Sequence, residues 1–167
     1  RFFREVEKQV SRHEGIISRI GPGTKGDNFL ILFGAPTSSG DDARNAALCA
    51  LGIQKSVARL RDSGEIPFTI KVGVNTGFTF CGDVGSTLRK EYTVMGDSVN
   101  LAARLMSIAE EGTIRLGETT VAQLDGSFEM DAMEPVPVKG KKDPVRTHIL
   151  NGHSKRTKTT TLQARRG

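Results

Sequence analysis

The chain has 167 residues, of which 37% are hydrophobic and 26% charged, so it can bury the core of one ordinary globular domain. No apolar run approaches the roughly 18 residues that a membrane span needs, and nothing resembles a signal peptide. The net charge of +5 lies in residues 151–167, which contain five basic and no acidic residues, so residues 1–150 are neutral. This distribution disfavours a nucleic-acid partner and predicts a domain over 1–150 followed by a basic, disordered tail or linker.

The cysteines and histidines do not form a metal-binding pattern. Cys49 and Cys81 stand alone and read as buried thiols of a protein in a reducing compartment, for which we expect the cytoplasm. The three histidines are far apart in the sequence. The chain opens at Arg1, in what reads as the middle of a helix, so we expect it to be a piece of a longer protein.

The first third of the chain predicts a helix and a hairpin. Apolar residues recur at helical spacing over residues 1–14, and Gly15 is expected to end that helix. Residues 15–20 and 28–33 read as two strands, and the glycine-rich stretch 21–27 reads as the turn that joins them.

The middle of the chain predicts a long helix followed by a second hairpin. Asp41 or Asp42 is expected to cap a helix that extends to about Leu60. Apolar residues alternate over residues 68–75, which predicts a strand. Residues 77–84 are expected to form its hairpin partner, with Asn75-Thr76-Gly77 as the turn between them.

The remaining elements complete a fold prediction. A strand is expected at 113–116, a short helix at 119–124 and a final hairpin within 128–150. Strands interspersed with two long helices predict the α/β class, an α+β sandwich in which helices pack on one face of a mostly antiparallel sheet.

The most informative stretch is residues 91–106. Residues 91–94 read as a short strand, Gly96 breaks it, and Asp97 or Ser98 is expected to cap the helix that follows.

Two polar residues interrupt the apolar surface of that helix. Asn100 and Arg104 are four residues apart, so both project from the same side. An amide and a guanidinium are costly to bury without partners. They require either a polar ligand or, in the simpler interpretation, a backbone carbonyl or carboxylate for the arginine.

Residues 91–104 resemble the signature of the class III nucleotidyl cyclases, which are the adenylate and guanylate cyclases. The run reads Glu-Tyr-Thr-Val-Met-Gly-Asp-Ser-Val-Asn-Leu-Ala-Ala-Arg. The resemblance implies a ferredoxin-like cyclase palm. It assigns Thr93 to the position that selects the base, and Asn100 and Arg104 to the catalytic pair that contacts the nucleotide in the transition state. With a threonine at this position, the sequence resembles the subgroup of adenylate cyclases that includes bicarbonate-responsive enzymes.

The resemblance also implies a metal site. A cyclase needs the ribose 3′-hydroxyl to attack the α-phosphate while pyrophosphate leaves, and two Mg²⁺ or Mn²⁺ ions per site can hold the reacting oxygens. The family holds them with two aspartates. Gly26-Asp27-Asn28-Phe29 resembles the segment with the second, so Asp27 is the metal candidate, although a turn aspartate can also bond its own loop. The first aspartate has no counterpart in this sequence. Either the strand that carries it in the family is missing from this fragment, or the domain is degenerate.

Two lysines are candidates for substrate binding. Gly23 occupies the family's adenine-reading lysine position, and Lys25, two residues before Asp27, could replace it only if the turn is rearranged. Otherwise Lys25 is a solvated turn residue. Lys139, in Val-Lys-Gly-Lys, resembles the hairpin lysine that contacts the terminal phosphates, although Lys-Gly-Lys is also a common exposed turn.

The resemblance therefore implies a domain that converts ATP to 3′,5′-cyclic AMP and pyrophosphate in signal transduction. Because the family builds its site from two domains, we expect a homodimer or pairing with a second cyclase domain, and little activity from this fragment alone. The alternative is a non-catalytic cyclase-homology domain that dimerises with another domain and regulates it. A nucleic-acid-binding module is disfavoured, since aromatic residues make up only 5% of the chain and no strand offers a stacking pattern.

Overall fold

The computed structural model describes residues 1–23, 26–78, 80–86 and 89–154, and within 80–86 and 89–95 it describes the backbone alone. The helices of this part of the chain are α1 (Phe2–Arg12), α2 (Asp42–Asp62), α3 (Asp97–Ile108) and α4 (Glu118–Val121). The strands are β1 (Gly15–Gly23), β2 (Gly26–Phe33), β3 (Val72–Val74), β4 (Phe80–Ser86), β5 (Arg89–Met95), β6 (Ile114–Gly117), β7 (Phe128–Ala132) and β8 (Thr147–His153).

The strands form a central sheet and two hairpins. The central sheet has the order β3-β6-β8-β7, in which β3 and β6 are parallel and the other neighbours are antiparallel. β1 pairs with β2, and β4 pairs with β5, both antiparallel. The predicted α+β class with a mostly antiparallel sheet is therefore confirmed.

The long helix α2 organises the core because its apolar residues recur at helical spacing. Ala47 and Ala50 pack with Ile114 and Leu116 of the central sheet. Neighbouring positions of α2 pack against α1 and β2 in a second cluster, whose fully or nearly buried members are Val6, Val10, Cys49, Ile53 and Val57. One helix thus covers both the central sheet and the β1–β2 hairpin.

The prediction of a buried thiol is confirmed for Cys49, which is 1% exposed. Burial raises the pKa of the Cys49 thiol to about 12, so the thiol stays protonated and unreactive at neutral pH. The side chain of Cys81 lies outside the described residues.

Helix α3 lies on the opposite face of the central sheet from α2. Val72 and Val74 face the α2 side, where they pack against its core cluster. Gly73, between them, faces the other side, and a side chain there would collide with the backbone of Ala102 and Met106 in α3. The layering therefore differs from the prediction of helices on one face, because a glycine in the strand lets a second helix approach the other face.

We expect Gly73→Ala to lower the free energy of unfolding by about 1–3 kcal/mol, because the added methyl group meets backbone atoms that cannot rotate away. Urea denaturation of the two proteins measures this loss. Gly126→Ala is the control, since a Cβ there would meet nothing within 4 Å. Equal losses for the two variants would contradict the close approach of α3 to β3.

The predicted hairpin of residues 68–75 and 77–84 is wrong. Within residues 68–75, only Val72–Val74 form a strand, and this strand pairs in parallel with β6. β4, which contains most of the expected partner residues, pairs with β5 instead. Residues 75–77 therefore do not link two paired strands, and the Asn75 side chain instead donates a hydrogen bond to the first turn of α3. Phe68 and Ile70 alternate as in a strand, but they pack with α1 and with the cluster under α2.

The predicted helix caps also need correction. Gly96 occupies the N-cap of α3 with a φ of 142°, and Asp97 is already helical, so neither Asp97 nor Ser98 caps it. Ser98 instead donates a hydrogen bond to the carbonyl of Phe78. Asp41 does occupy the N-cap of α2, but its side chain makes no capping bond.

The ends of several elements differ from the sequence prediction. β1 and β2 extend through most of the expected glycine-rich turn, so Asp27 lies in a strand opposite Pro22. The final hairpin is confirmed as β7 and β8, with a further bridge between Val136 and Val145. The predicted tail lies outside the described residues from 155 onward. Within the described part of the chain, no helix is long and apolar enough to cross a membrane.

Candidate functional site

Helix α3 presents the two predicted catalytic residues on one side and is anchored by the other. Asn100 is exposed and Arg104 is partly buried, one turn apart. Leu105 is fully buried, and its Cδ1 lies 3.4 Å from the position that a Cβ of Gly117 would occupy. The packing of Leu105 on the sheet thus fixes the rotation of the helix, and with it the direction of Arg104.

The first turn of α3 is held by a residue that the sequence analysis did not single out. Asn75, just after β3, donates a hydrogen bond from Nδ2 to the carbonyl oxygen of Ser98 (3.1 Å). Its Oδ1 lies 3.2 Å from the hydroxyl of Thr119, in α4. Asn75 therefore ties the start of α3 to the ends of β3 and β6. The only signal in the sequence was an Asn-Thr-Gly run, which we interpreted as a turn.

The structure brings Arg104 to the turn that carries Lys139. The Lys141 N–H donates to the carbonyl of Val138 (3.0 Å), and Gly140 has a φ of 86°, so residues 138–141 form a tight turn whose third residue is left-handed. Nη1 of Arg104 lies 3.0 Å from the position that a Cβ of Gly140 would occupy. The guanidinium therefore rests against the lysine-bearing turn.

This pairing concentrates positive charge. Lys139 is exposed, and neither Lys139 nor Arg104 forms an ion pair with another described residue. Arg115 adds a further cation on the α3 face of β6, where it is 6% exposed and donates from Nε to the hydroxyl of Thr147 (2.9 Å). A guanidinium against a lysine-bearing turn, with neither cation in an ion pair with a described carboxylate, suits a polyphosphate ligand.

Asp27 lies on a different element. It is exposed in β2, near the tip of the β1–β2 hairpin, and no ion pair in the described part of the chain joins it to Arg104 or Lys139. The structure therefore brings together Arg104 and the Lys139 turn, but it does not join Asp27 to them.

Asp27 fits a metal site as one ligand of an incomplete set. No group of three His, Cys, Asp or Glu side chains in the described residues is placed to hold an ion. Mg²⁺ is commonly bound by only one or two carboxylates together with phosphates and waters, so an exposed aspartate is a suitable first ligand. At least one further oxygen ligand must come from the substrate or from another segment.

The two remaining candidates are described less fully. The backbone of Thr93 pairs with Gly82 in the β4–β5 hairpin, and β5 leads through Gly96 directly into α3. The side chain of Thr93 lies outside the description, as does all of Lys25. Their roles stay predictions.

Comparison with known proteins identifies the family. The model of the adenylate and guanylate cyclase catalytic domain matches residues 1–152, and the chain therefore belongs to this family.

Curated relatives include adenylate cyclases. Adenylate cyclase 1 of Rhizobium meliloti (strain 1021) is 28% identical over 165 residues, which cover 95% of this chain and 24% of that protein. Adenylate cyclase type 10 of Homo sapiens is 40% identical over 105 residues, which cover 62% of this chain and 6% of that protein. The chain thus spans no more than about a quarter of the length of these relatives.

Solved structures show the same fold. The guanylyl cyclase Cya2 superposes with a TM-score of 0.82 at 30% identity, covering 92% of this chain and 78% of that one. The adenylyl cyclase CyaB from P. aeruginosa gives a TM-score of 0.81 at 26% identity, covering 92% of this chain and 80% of that one. The fold is therefore that of a cyclase catalytic domain.

Proposed function

We propose that this chain is the catalytic domain of an adenylate cyclase, which converts ATP to 3′,5′-cyclic AMP and pyrophosphate. The observation that carries the proposal is the contact of the Arg104 guanidinium with the turn of Lys139. This contact places the turn that bears Lys139 beside a guanidinium suited to the reacting phosphate, and Lys139 is a cation suited to the leaving phosphates.

In the proposed reaction, the 3′-oxygen bonds to the α-phosphorus, the bond from that phosphorus to the bridging oxygen of pyrophosphate breaks, and the hydroxyl proton passes to solvent. Negative charge grows on the phosphate oxygens as this happens, and a preorganised guanidinium stabilises it. Arg104 has this role, Lys139 binds the terminal phosphates, and Asn100 bonds the nucleotide one turn away on α3. Mg²⁺ or Mn²⁺ bound with the help of Asp27 would neutralise further charge on the phosphates.

The site is proposed to need two chains. Asp27 is exposed on the β1–β2 hairpin and is not joined to the cations of α3 and its neighbouring turn. A two-fold dimer could place the Asp27 of one protomer opposite the Arg104 of its partner, and symmetry would then create two equivalent sites. Pairing with a second, different cyclase domain would create one.

The choice of ATP over GTP rests on two observations. The resemblance assigns Thr93 to base selection, and Thr93 lies on β5, the strand that leads into α3. Both curated relatives described above are named adenylate cyclases. The structural neighbours, however, include both guanylyl and adenylyl cyclases, so the fold alone does not favour either nucleotide.

The test is a product assay with the longest natural chain that contains these residues. Purified protein is supplied with ATP or GTP and with Mg²⁺ or Mn²⁺, and cyclic AMP and cyclic GMP are quantified by mass spectrometry. We expect metal-dependent cyclic AMP formation to exceed cyclic GMP formation by at least about tenfold, a difference of about 1.4 kcal/mol in transition-state binding. The 167-residue chain alone should form little of either product. Cyclic GMP as the main product would contradict the assignment of ATP.

The second candidate function is a regulatory cyclase-homology domain that pairs with another domain. The observation that favours it is the single candidate carboxylate, Asp27, in a part of the chain that shows no three-ligand metal cluster. Absence of both cyclic nucleotides in the assay, with a folded protein that raises the activity of an added cyclase domain, would support this function.

A further inference from the structure

We propose that Gly140 is a positioning residue for Arg104, because the absence of a side chain at Gly140 lets the guanidinium lie where it meets the reacting phosphate. This inference rests on the proposed function and adds Gly140 to the residues of the site. From the sequence alone, Gly140 was only part of an expected turn. It follows from the contact of two segments that are far apart in the chain.

The geometry of the contact is close on several atoms. Measured from the position that a Cβ of Gly140 would occupy, Nη1 of Arg104 lies at 3.0 Å, Nη2 at 3.4 Å and Cζ at 3.6 Å. The whole head of the guanidinium therefore lies over Gly140. A methyl group there would push the nearer terminal nitrogen, Nη1, away from the turn by a few tenths of an ångström.

The turn of Gly140 and the helix of Arg104 are both held in place by the rest of the domain. The turn is closed by the bond from the Lys141 N–H to the carbonyl of Val138, and the Val138 side chain is 6% exposed, which anchors it to the domain. On the other side, the fully buried Leu105 fixes α3 to the sheet. An added methyl group therefore displaces the flexible guanidinium rather than the turn or the helix.

Adding a methyl group at Gly140 is expected to affect stability and catalysis differently. A long side chain can move aside at little cost to the fold, so the steric effect on the free energy of unfolding is small. Catalysis is more sensitive, because a donor acts on the transition state only from the correct position. A displacement of about 1 Å can cost on the order of 100-fold in rate, so one of a few tenths of an ångström is expected to cost roughly 3- to 10-fold.

Backbone strain needs a separate control. Gly140 has a φ of 86°, where any residue with a Cβ is disfavoured. Gly40 has a φ of 87°, and a Cβ there would meet nothing within 4 Å. Gly40→Ala therefore introduces a Cβ at a matched positive φ, as Gly140→Ala does, but without the contact with Arg104.

The experiment compares wild type, Gly40→Ala, Gly140→Ala and Arg104→Ala, each in the longest natural chain, by kcat and KM for ATP and by the urea midpoint. We expect the two glycine variants to have similar midpoints. Gly140→Ala should lower kcat by roughly 3- to 10-fold with KM within about twofold of wild type, whereas Gly40→Ala should keep the wild-type kcat.

A double variant separates action through Arg104 from action through Lys139. In the Arg104→Ala background, Gly140→Ala should lower kcat no further than Gly40→Ala does, because the group it displaces is already absent. A further loss in that background, or equal kcat for the two single glycine variants, would overturn the inference and leave the proposed function intact. Wild-type kcat for Arg104→Ala would overturn the proposed role of Arg104, and the inference with it.

Discussion

Replacing Arg104 with alanine is expected to lower kcat by roughly 10²–10³-fold while changing KM for ATP little. Removing one preorganised donor to the transition state typically costs about 2.7–4 kcal/mol. The guanidinium rests against a tight turn and has no ion pair with a described carboxylate, so the fold should lose little when it is removed.

Steady-state kinetics of the longest natural chain, with circular dichroism to confirm the fold, measures this effect. Arg12→Ala is the matched control, because Arg12 is an exposed arginine in the last turn of α1. Equal losses in ATP binding and in kcat would show that Arg104 binds the ground state, which contradicts the assigned role. Unchanged kinetics with the fold intact would also contradict it.

The second large effect is expected for Asp27→Ala. If Asp27 supplies a metal ligand, its removal should reduce cyclic AMP formation to a few per cent of wild type or less, and raising Mn²⁺ should not restore it. Because Asp27 is exposed in β2, we expect the variant to keep its fold, and the urea midpoint checks this directly. Asp27→Asn, which keeps the shape but not the charge, should also be impaired.

The local features of the site were predictable from the sequence. Asn100 and Arg104 share a side of α3 because helical spacing alone decides it, and the helix itself follows from its apolar residues and from Gly96. The amphipathic helices α1 and α2 were likewise predictable. Such features depend on neighbours within a few residues, so the sequence contains the needed information.

The non-local features were not predictable from the pattern. Alternating apolar residues over 68–75 suit a strand in any sheet, and nothing in them indicates that β3 pairs in parallel with β6. Gly73 was the one hint, since a glycine inside a strand often marks a close approach of another backbone.

The contact that carries the proposed function was also beyond the sequence. The Val-Lys-Gly-Lys segment was interpreted as a turn, and this is confirmed by its closing hydrogen bond. That this turn lies against Arg104 depends on how β8 and α3 are arranged around β6, which is a property of the whole fold. Asn75 was missed for the same reason, because its partners are in α3 and α4.

The measurement that tests the two-chain site most directly is a mixing experiment with Asp27→Ala and Arg104→Ala, each nearly inactive alone. Mixed one to one under conditions that allow exchange of subunits, half of the two-fold dimers are heterodimers, in which one site carries both lesions and the other carries neither. The account predicts recovery of about one quarter of the wild-type activity per chain. If the mixture stays as inactive as its components while subunit exchange is shown by a tagged copy, the homodimeric site is contradicted, and either one chain builds the site or a different domain completes it.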